Sequence, residues 1–272
     1  YLETPSLQYI HHPNFERKAM PASETPGTDG SLIYAVYDSL CTVLRGSQAV
    51  NYELTQFLAN SAWTADVFEA SYGVTPPVVH PPVDVSGFNP PSWDAKKDGF
   101  VTIGRLSPDK NTLQLIQIVQ QLRNRGHDVH LHVVGPDGEE EYSTQVHKLA
   151  SSTAAVSIEG EVSREELVRL ISQHKYGLHG KEHEHFGMTV AEFIAGGALP
   201  FVPNGGGQTD IVGQRDELIY ENSTEAVQKI DAVLSDPSLQ LSLREELGSI
   251  EQRFGRARFR EELTAHIAAI CE

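Results

Sequence analysis

From residue 100 to residue 202 short β-branched or aromatic runs alternate with amphipathic stretches, and no other feature limits the possible folds so tightly. Strands are expected at 100–103, 129–134, 155–158, 176–179 and 199–202, and helices at 112–125, 139–150 and 189–195. A further helix opens at Ser163, with Glu166 three residues on completing a capping box. A strand followed by a helix of such length returns parallel to its predecessor. The expected fold class is therefore α/β, with a doubly wound parallel sheet. Sheets of this kind take ligands outside the carboxyl ends of their strands.

Ahead of this region the pattern is less regular. Strands are expected at 7–10, 57–59 and 78–79, helices at 31–45 and 63–72, and a polar loop rich in Pro, Gly and Ser at 16–30. That is too little for a complete doubly wound domain and reads as the last part of one. Between the two regions Pro90, Pro91, Trp93, Asp94, Lys96, Lys97 and Asp98 break any periodicity, as an interdomain linker would.

Charge and cysteine content exclude several classes. With 21 Lys and Arg against 37 Asp and Glu, the net charge of −16 makes a nucleic-acid partner unsuitable, since neutralising phosphates needs a basic surface. The same acidity suits a high-salt cytoplasm and an ordinary acidic protein equally. Cys41 and Cys271 have no metal-ligand spacing and read as two small buried hydrophobes in a reducing cytosol. No apolar run approaches the roughly 20 residues of a membrane-spanning helix, and no signal peptide is visible. The chain begins at Tyr1, and residues upstream of it are expected.

Three constellations carry chemistry. In Gly177-Leu178-His179-Gly180-Lys181-Glu182-His183-Glu184-His185-Phe186-Gly187-Met188-Thr189-Val190-Ala191-Glu192 a strand ends, a charged loop follows, and a helix begins near Gly187. Unsatisfied N–H groups at that helix start form an anion site. Eight helical residues rise about 12 Å, which suits Glu184 and Glu192 gripping the two ends of an extended nucleotide sugar. A glutamate before a helix is also simply favourable with the dipole. Glu192, however, stands among Val190, Ala191, Phe193 and Ile194, where an unpaired carboxylate is costly.

The second constellation, Gly104-Arg105-Leu106-Ser107-Pro108-Asp109-Lys110-Asn111, puts two cations at the carboxyl end of a strand. They suit a diphosphate, and equally a turn before a capped helix. In the third, Gly205-Gly206-Gly207 follows a strand and lets backbone approach a ligand, or simply turns. His11 ends an early strand, a position as fit for a structural role as for a cleft. His179, His183 and His185 straddle a loop without a local Cys or Asp, so no metal is expected there. No Asp-x-Asp, Gly-x-Ser-x-Gly or His-Glu-x-x-His occurs.

Taken in order, these segments resemble the family 4 retaining glycosyltransferases of the GT-B fold. The resemblance rests on Gly104-Arg105-Leu106 through Lys110-Asn111, on Glu184 and Glu192 flanking Phe186-Gly187, and on Gly206-Gly207-Gln208-Thr209-Asp210-Ile211-Val212. Upstream, Asn60-Ser61-Ala62-Trp63-Thr64 and His80-Pro81-Pro82-Val83-Asp84 are similar to the end of that family's acceptor domain. Within the family, Gly177-Leu178-His179, Glu184-His185-Phe186-Gly187 and Tyr9-Ile10-His11-His12-Pro13 are most similar to α-1,2-mannosyltransferases of the dolichol-oligosaccharide type.

The resemblance implies two Rossmann-like domains, the first incomplete. Residues 1–90 would be the C-terminal part of the acceptor-side domain, 91–98 the linker, 99–253 the donor domain, and 254–272 a helix crossing back. It implies retaining transfer of a hexose, with mannose from GDP-mannose favoured, to a glycan or lipid-linked acceptor. No cofactor or metal would be required. The location would be cytoplasmic, with peripheral contact at the cytoplasmic face of a membrane left open. Position by position, Glu184 would hold sugar hydroxyls beside the N–H groups of Phe186, Gly187, Met188 and Thr189, and Glu192 the ribose. Arg105 and Lys110 would stabilise the diphosphate, Gly104 and Gly206 would line the donor, and His11 would approach it from the other domain. A nucleotide-sugar-binding module without transfer, or a phosphorylase or epimerase of the same fold, are the alternatives.

Overall fold

The computed structural model describes residues 5–11, 55–153 and 155–271. Cys41, His12, Pro13, the helix expected over 31–45 and the loop over 16–30 lie outside the described residues. The chain divides into two compact units, one of Tyr1–Val79 with Glu261–Glu272 and one of His80–Arg260.

In the first unit, β1 (Ser6–Ile10) pairs in parallel with β2 (Thr55–Ala59). Ala59 bridges on to Val78. Helix α1 (Ala62–Tyr72) starts at Ser61, whose hydroxyl accepts from Thr64 N at 3.1 Å, and ends at Gly73 in the left-handed conformation. Phe57, Phe68 and Ile10 form its small core. The last helix of the chain, spanning Arg256–Cys271, runs into this unit, where His266 Nδ1 lies 2.9 Å from Gln56 Nε2.

The second unit is the expected doubly wound sheet. Its strands are β3 (Lys97–Ile103), β4 (His130–Val134), β5 (Val156–Gly160), β6 (His174–Leu178), β7 (Leu199–Pro203) and β8 (Ile219–Tyr220). All are parallel, in the order β5-β4-β3-β6-β7-β8. The intervening helices are α2 (Thr112–Asn124), α3 (Glu140–Ser151), α4 (Arg164–Gln173) and α5 (Met188–Ala195). Leu115, Ile116, Val119 and Leu122 of α2 pack on one side with Phe100, Leu131 and Leu178. On the other side Leu170 and Ile171 of α4 and Phe193 of α5 pack with Val101 and Val134. Helices over Ser223–Ser235 and Pro237–Leu247, which the alternating pattern did not extend to, complete the unit.

Strand order decides where a ligand can sit. The chain runs outward through β3, β4 and β5, then returns to place β6 beside β3, pairing Phe100 with Tyr176 and Val101 with Gly177. The loops leaving β3 and β6 diverge at that switch point and open a crevice at the carboxyl edge.

Several expectations change. The segment 91–98 is not a free connector: Trp93–Ala95 makes a 3-10 turn, Lys97 already pairs in β3, and the division between units falls at Val79/His80. Lys96 is buried, with Nζ donating to Ser172 O at 2.5 Å, Gly196 O at 2.7 Å and His174 O at 3.2 Å. Burial, with help from Arg244, pushes this ammonium down to about 8. Cys271 is exposed rather than buried. Glu184 and Glu192 are not spanned by helix either. Helix α5 begins at Met188, so the stretch before it is loop and the 12 Å helical rise does not apply.

The Lys96→Met variant leaves three carbonyls without their donor. We expect a loss of about 2–3 kcal/mol, read as a lower midpoint in urea unfolding.

Candidate active site

Two loops meet at the switch point. In the first, after β3, Pro108–Lys110 makes a 3-10 turn and Asn111 takes a left-handed φ of 52° to launch α2. In the second, after β6, the chain runs from His179 to Gly187. They are stitched by Asn111 Nδ2, which donates to Gly180 O at 2.8 Å. The sequence pattern thus places Lys110 and Glu184, 74 residues apart, in one cluster.

Glu184 is its centre. Oε2 accepts from Lys110 Nζ at 3.2 Å and lies 3.6 Å from His179 Nε2, while Oε1 lies 3.9 Å from Lys181 Nζ. Burial alone would raise the acid's pKa. The contact with His179 and the ammonium charges of Lys110 and Lys181 outweigh it and hold the carboxyl well below its usual range. His179 is buried, which lowers its own pKa; Glu184 pulls it up, but burial with the two lysine charges prevails. At neutral pH the cluster is a carboxylate beside a neutral imidazole and two ammonium groups.

The loop leaving β7, at Gly205 to Gly207, fixes the backbone of the second. Glu184 bridges to Gly206, and its carbonyl accepts from Gly207 N at 2.6 Å. Gly206 has φ of +88°, and a Cβ there would stand 2.5 Å from Glu184 N. Only glycine fits. Buried Gln208 donates from Nε2 to Gly205 O, Pro203 O and Lys181 O, locking the same corner.

Past Glu184, Gly187 turns the chain with φ of 104° into α5, which has no side-chain cap. Its first N–H groups, those of Met188 and Thr189, face the loop end with the positive end of the helix dipole. Phe186 is buried against His80 and Phe254.

The remaining expected residues fall as follows. Arg105 is exposed, and its guanidinium has no hydrogen bond or ion pair among the described residues. Gly104 lies against the Lys110 stem. Glu192 shares no partner with Glu184. Its Oε1 accepts from Arg164 NH1 at 2.6 Å, and Arg164 NH2 donates to Asp84 O at 3.3 Å, with the guanidinium 5.4 Å from the Phe88 ring. Sequence reading missed Arg164. It stands next to the Ser163 cap, so the capping box located its helix while its partner lay 28 residues on. His11 belongs to the first unit, exposed, its ring edge-on to Tyr9 at 4.6 Å and its carbonyl accepting from Asn60 Nδ2 at 3.0 Å.

A carboxyl whose folded pKa is depressed stabilises fully above its unfolded value and loses that stability as pH falls through the folded one. Removing Glu184 should therefore matter most at neutral pH. The Glu184→Gln variant is expected to cost about 1–3 kcal/mol there, with the difference from the parent shrinking as pH drops below 4.5. Chemical denaturation at a series of pH values checks this; a gap that widens in acid contradicts the ionised cluster. Gly206→Ala should lower thermal stability through the same corner, by about 1–3 kcal/mol.

The family described as Glycosyl transferases group 1 matches residues 88–250, well over half of the chain. Two proteins named GDP-Man:Man(3)GlcNAc(2)-PP-Dol alpha-1,2-mannosyltransferase are among its relatives. That of Dictyostelium discoideum is 24% identical over 233 residues, covering 77% of this chain and 46% of its own length. That of Mus musculus is 26% identical over 236 residues, covering 75% and 47%. The chain thus spans about half the length of the curated relatives it matches. Among solved structures, Anabaena Alr3699/HepE in complex with UDP and glucose superposes with a TM-score of 0.72 at 17% identity, covering 97% of this chain and 71% of that one. Sucrose-phosphate synthase from Thermosynechococcus elongatus gives 0.70 at 15% identity, covering 97% and 68%. These likenesses establish the GT-B fold. By the extent of the family match, the chain belongs to the glycosyl transferases group 1 family.

Proposed function

We propose that this protein is a retaining glycosyltransferase that binds GDP-mannose at the crevice between the β3 and β6 loops and transfers mannose to a lipid-linked oligosaccharide, without a metal or other cofactor. The observation that carries the reading is Glu184, an ionised carboxylate held by Lys110 directly ahead of an uncapped helix N-terminus. An acceptor of hydroxyl hydrogens stands next to donors for phosphate oxygens, which is the polarity of a sugar linked to a diphosphate. The names of the relatives support the base, the sugar and the acceptor class.

In this reading Glu184 accepts from the sugar hydroxyls, and the N–H groups of Gly187, Met188 and Thr189 take phosphate oxygens. Lys110 bridges carboxylate and phosphate, and the free guanidinium of Arg105 joins it as the diphosphate departs. Glu192 keeps Oε2 for the ribose diol while Arg164 holds Oε1. Charge develops on the leaving diphosphate as the glycosidic bond lengthens, and fixed cations and dipoles stabilise it there. The departing phosphate takes the acceptor proton on the same face, which retains configuration. Among the described residues no helix is long and apolar enough to cross a membrane. In this reading the lipid-linked acceptor is met at a peripheral surface on the cytoplasmic face, which the acceptor class in the relatives' names supports.

Isothermal titration with GDP-, UDP- and ADP-sugars is the test. GDP-mannose should bind and the others should bind more weakly, with Glu192→Ala reducing affinity about 10-fold or more, the worth of one good polar contact. Binding by none, or an unaltered Glu192→Ala, overturns the donor assignment. Arg105→Ala should keep most donor affinity and lose transfer or slow donor hydrolysis by about 100-fold. A protein that binds the donor and never turns it over is a binding module, and a phosphate requirement in reverse marks a phosphorylase.

A further inference from the structure

At the amino edge of the same sheet, opposite the crevice, three imidazoles converge. His130 and His132 share one face of β4, and His174 opens β6. Ring centroids are 5.2 Å apart for His130 and His132, 5.0 Å for His130 and His174, and 4.6 Å for His132 and His174. One ligating nitrogen from each lies within 4.8 Å of the other two. β3 runs between the two histidine-bearing strands, and the residue paired with His130 across the ladder is Gly99. A Cβ on Gly99 would stand 2.5 Å from His130 Nε2. The middle strand thus carries no side chain where the rings meet.

The outer nitrogens are already engaged. His174 Nδ1 lies 2.6 Å from Leu170 O, so it bears the proton and leaves a lone pair on Nε2. His132 Nδ1 lies 2.6 Å from Glu159 Oε1, with the same consequence. His130 Nε2 lies 3.0 Å from His174 Nε2, and since the His174 proton is on Nδ1 it is His130 that donates across this contact. The inner nitrogens of His132 and His174 therefore present lone pairs to the space between the rings, and that of His130 carries a proton that a change of tautomer to Nδ1 would remove. The carboxylate behind His132 and the carbonyl behind His174 are the outer shell that metal-binding histidines use to fix tautomer and orientation.

We propose that His130, His132 and His174 bind a divalent transition-metal ion of the zinc class, with His132 oriented by Glu159. Three nitrogen ligands at about 2.0–2.1 Å set nitrogens roughly 3.3 Å apart, so the widest pair closes by about 1.5 Å on binding. Lys97 and Arg169 are the cations near the cluster, and Glu159, Glu166 and Asp128 the acids; Arg169 is bridged to Glu166. The site stands roughly 13 Å along β4 from the crevice edge. Its metal would tie β4, β6 and, through Leu170, α4 together. Donor chemistry at the other edge would not involve it.

Cobalt and zinc titrations of the whole chain test the site independently of any donor. Co²⁺ should bind one per chain with visible absorption bands and be displaced by Zn²⁺. Zinc at about 100 times its Kd should raise Tm by roughly 5–10 °C. His174→Gln and His132→Gln should abolish the absorption. Glu159→Gln, which leaves all three ligands in place, should weaken binding about 10–100-fold. Glu184→Gln should bind cobalt like the parent. No absorption in the parent, or absorption that survives both histidine variants, overturns the proposal and leaves a proton shared between His130 and His174. Should His174→Gln fail to fold, the less buried His132 and Glu159 variants decide it.

Discussion

Everything at the crevice depends on β6 lying beside β3. The two strands are separated by seventy residues of chain, and their parallel pairing is what sends the Lys110 loop and the Glu184 loop outward from neighbouring positions. An ammonium and a carboxylate taken partly out of water each lose hydration, and their attraction recovers it only when geometry is fixed beforehand. That fixing is done by backbone. Asn111 holds Gly180, Gly206 and Gly207 hold Glu184, and Tyr220 donates to the carbonyl of His179. The ion pair is a consequence of the sheet and not one of its supports.

Legibility in the sequence followed the range of the interaction. Strand–helix alternation depends on local periodicity, and β3 to β7 and α2 to α5 fall within a few residues of where hydropathy places them. The Ser163 capping box is equally local: its hydroxyl accepts from Glu166 N at 3.2 Å. The segment 91–98 depends on longer range. Two prolines and two lysines look solvated, yet Lys96 is held by carbonyls 76 to 100 residues away. Composition carries no trace of such partners. The same holds for Arg164 against Glu192, and for the three histidines, of which only the His130-x-His132 pair is close in sequence.

The two glutamates that stand out in the sequence are made unequal by their surroundings. Glu192 answers to one exposed guanidinium and retains a free oxygen, whereas Glu184 answers to two lysines and a buried histidine. A carboxylate held far below its usual pKa is a weak base at neutral pH, and being ionised it has no proton to give. Its remaining capacity is to accept hydrogen bonds. His179 is likewise neutral and enclosed. A site with this polarity can orient a sugar and stabilise a departing anion, but it offers no base of its own at Glu184 to deprotonate an acceptor hydroxyl. In the proposed reaction that proton must go to the leaving phosphate, whose developing charge Lys110 and Arg105 are placed to share.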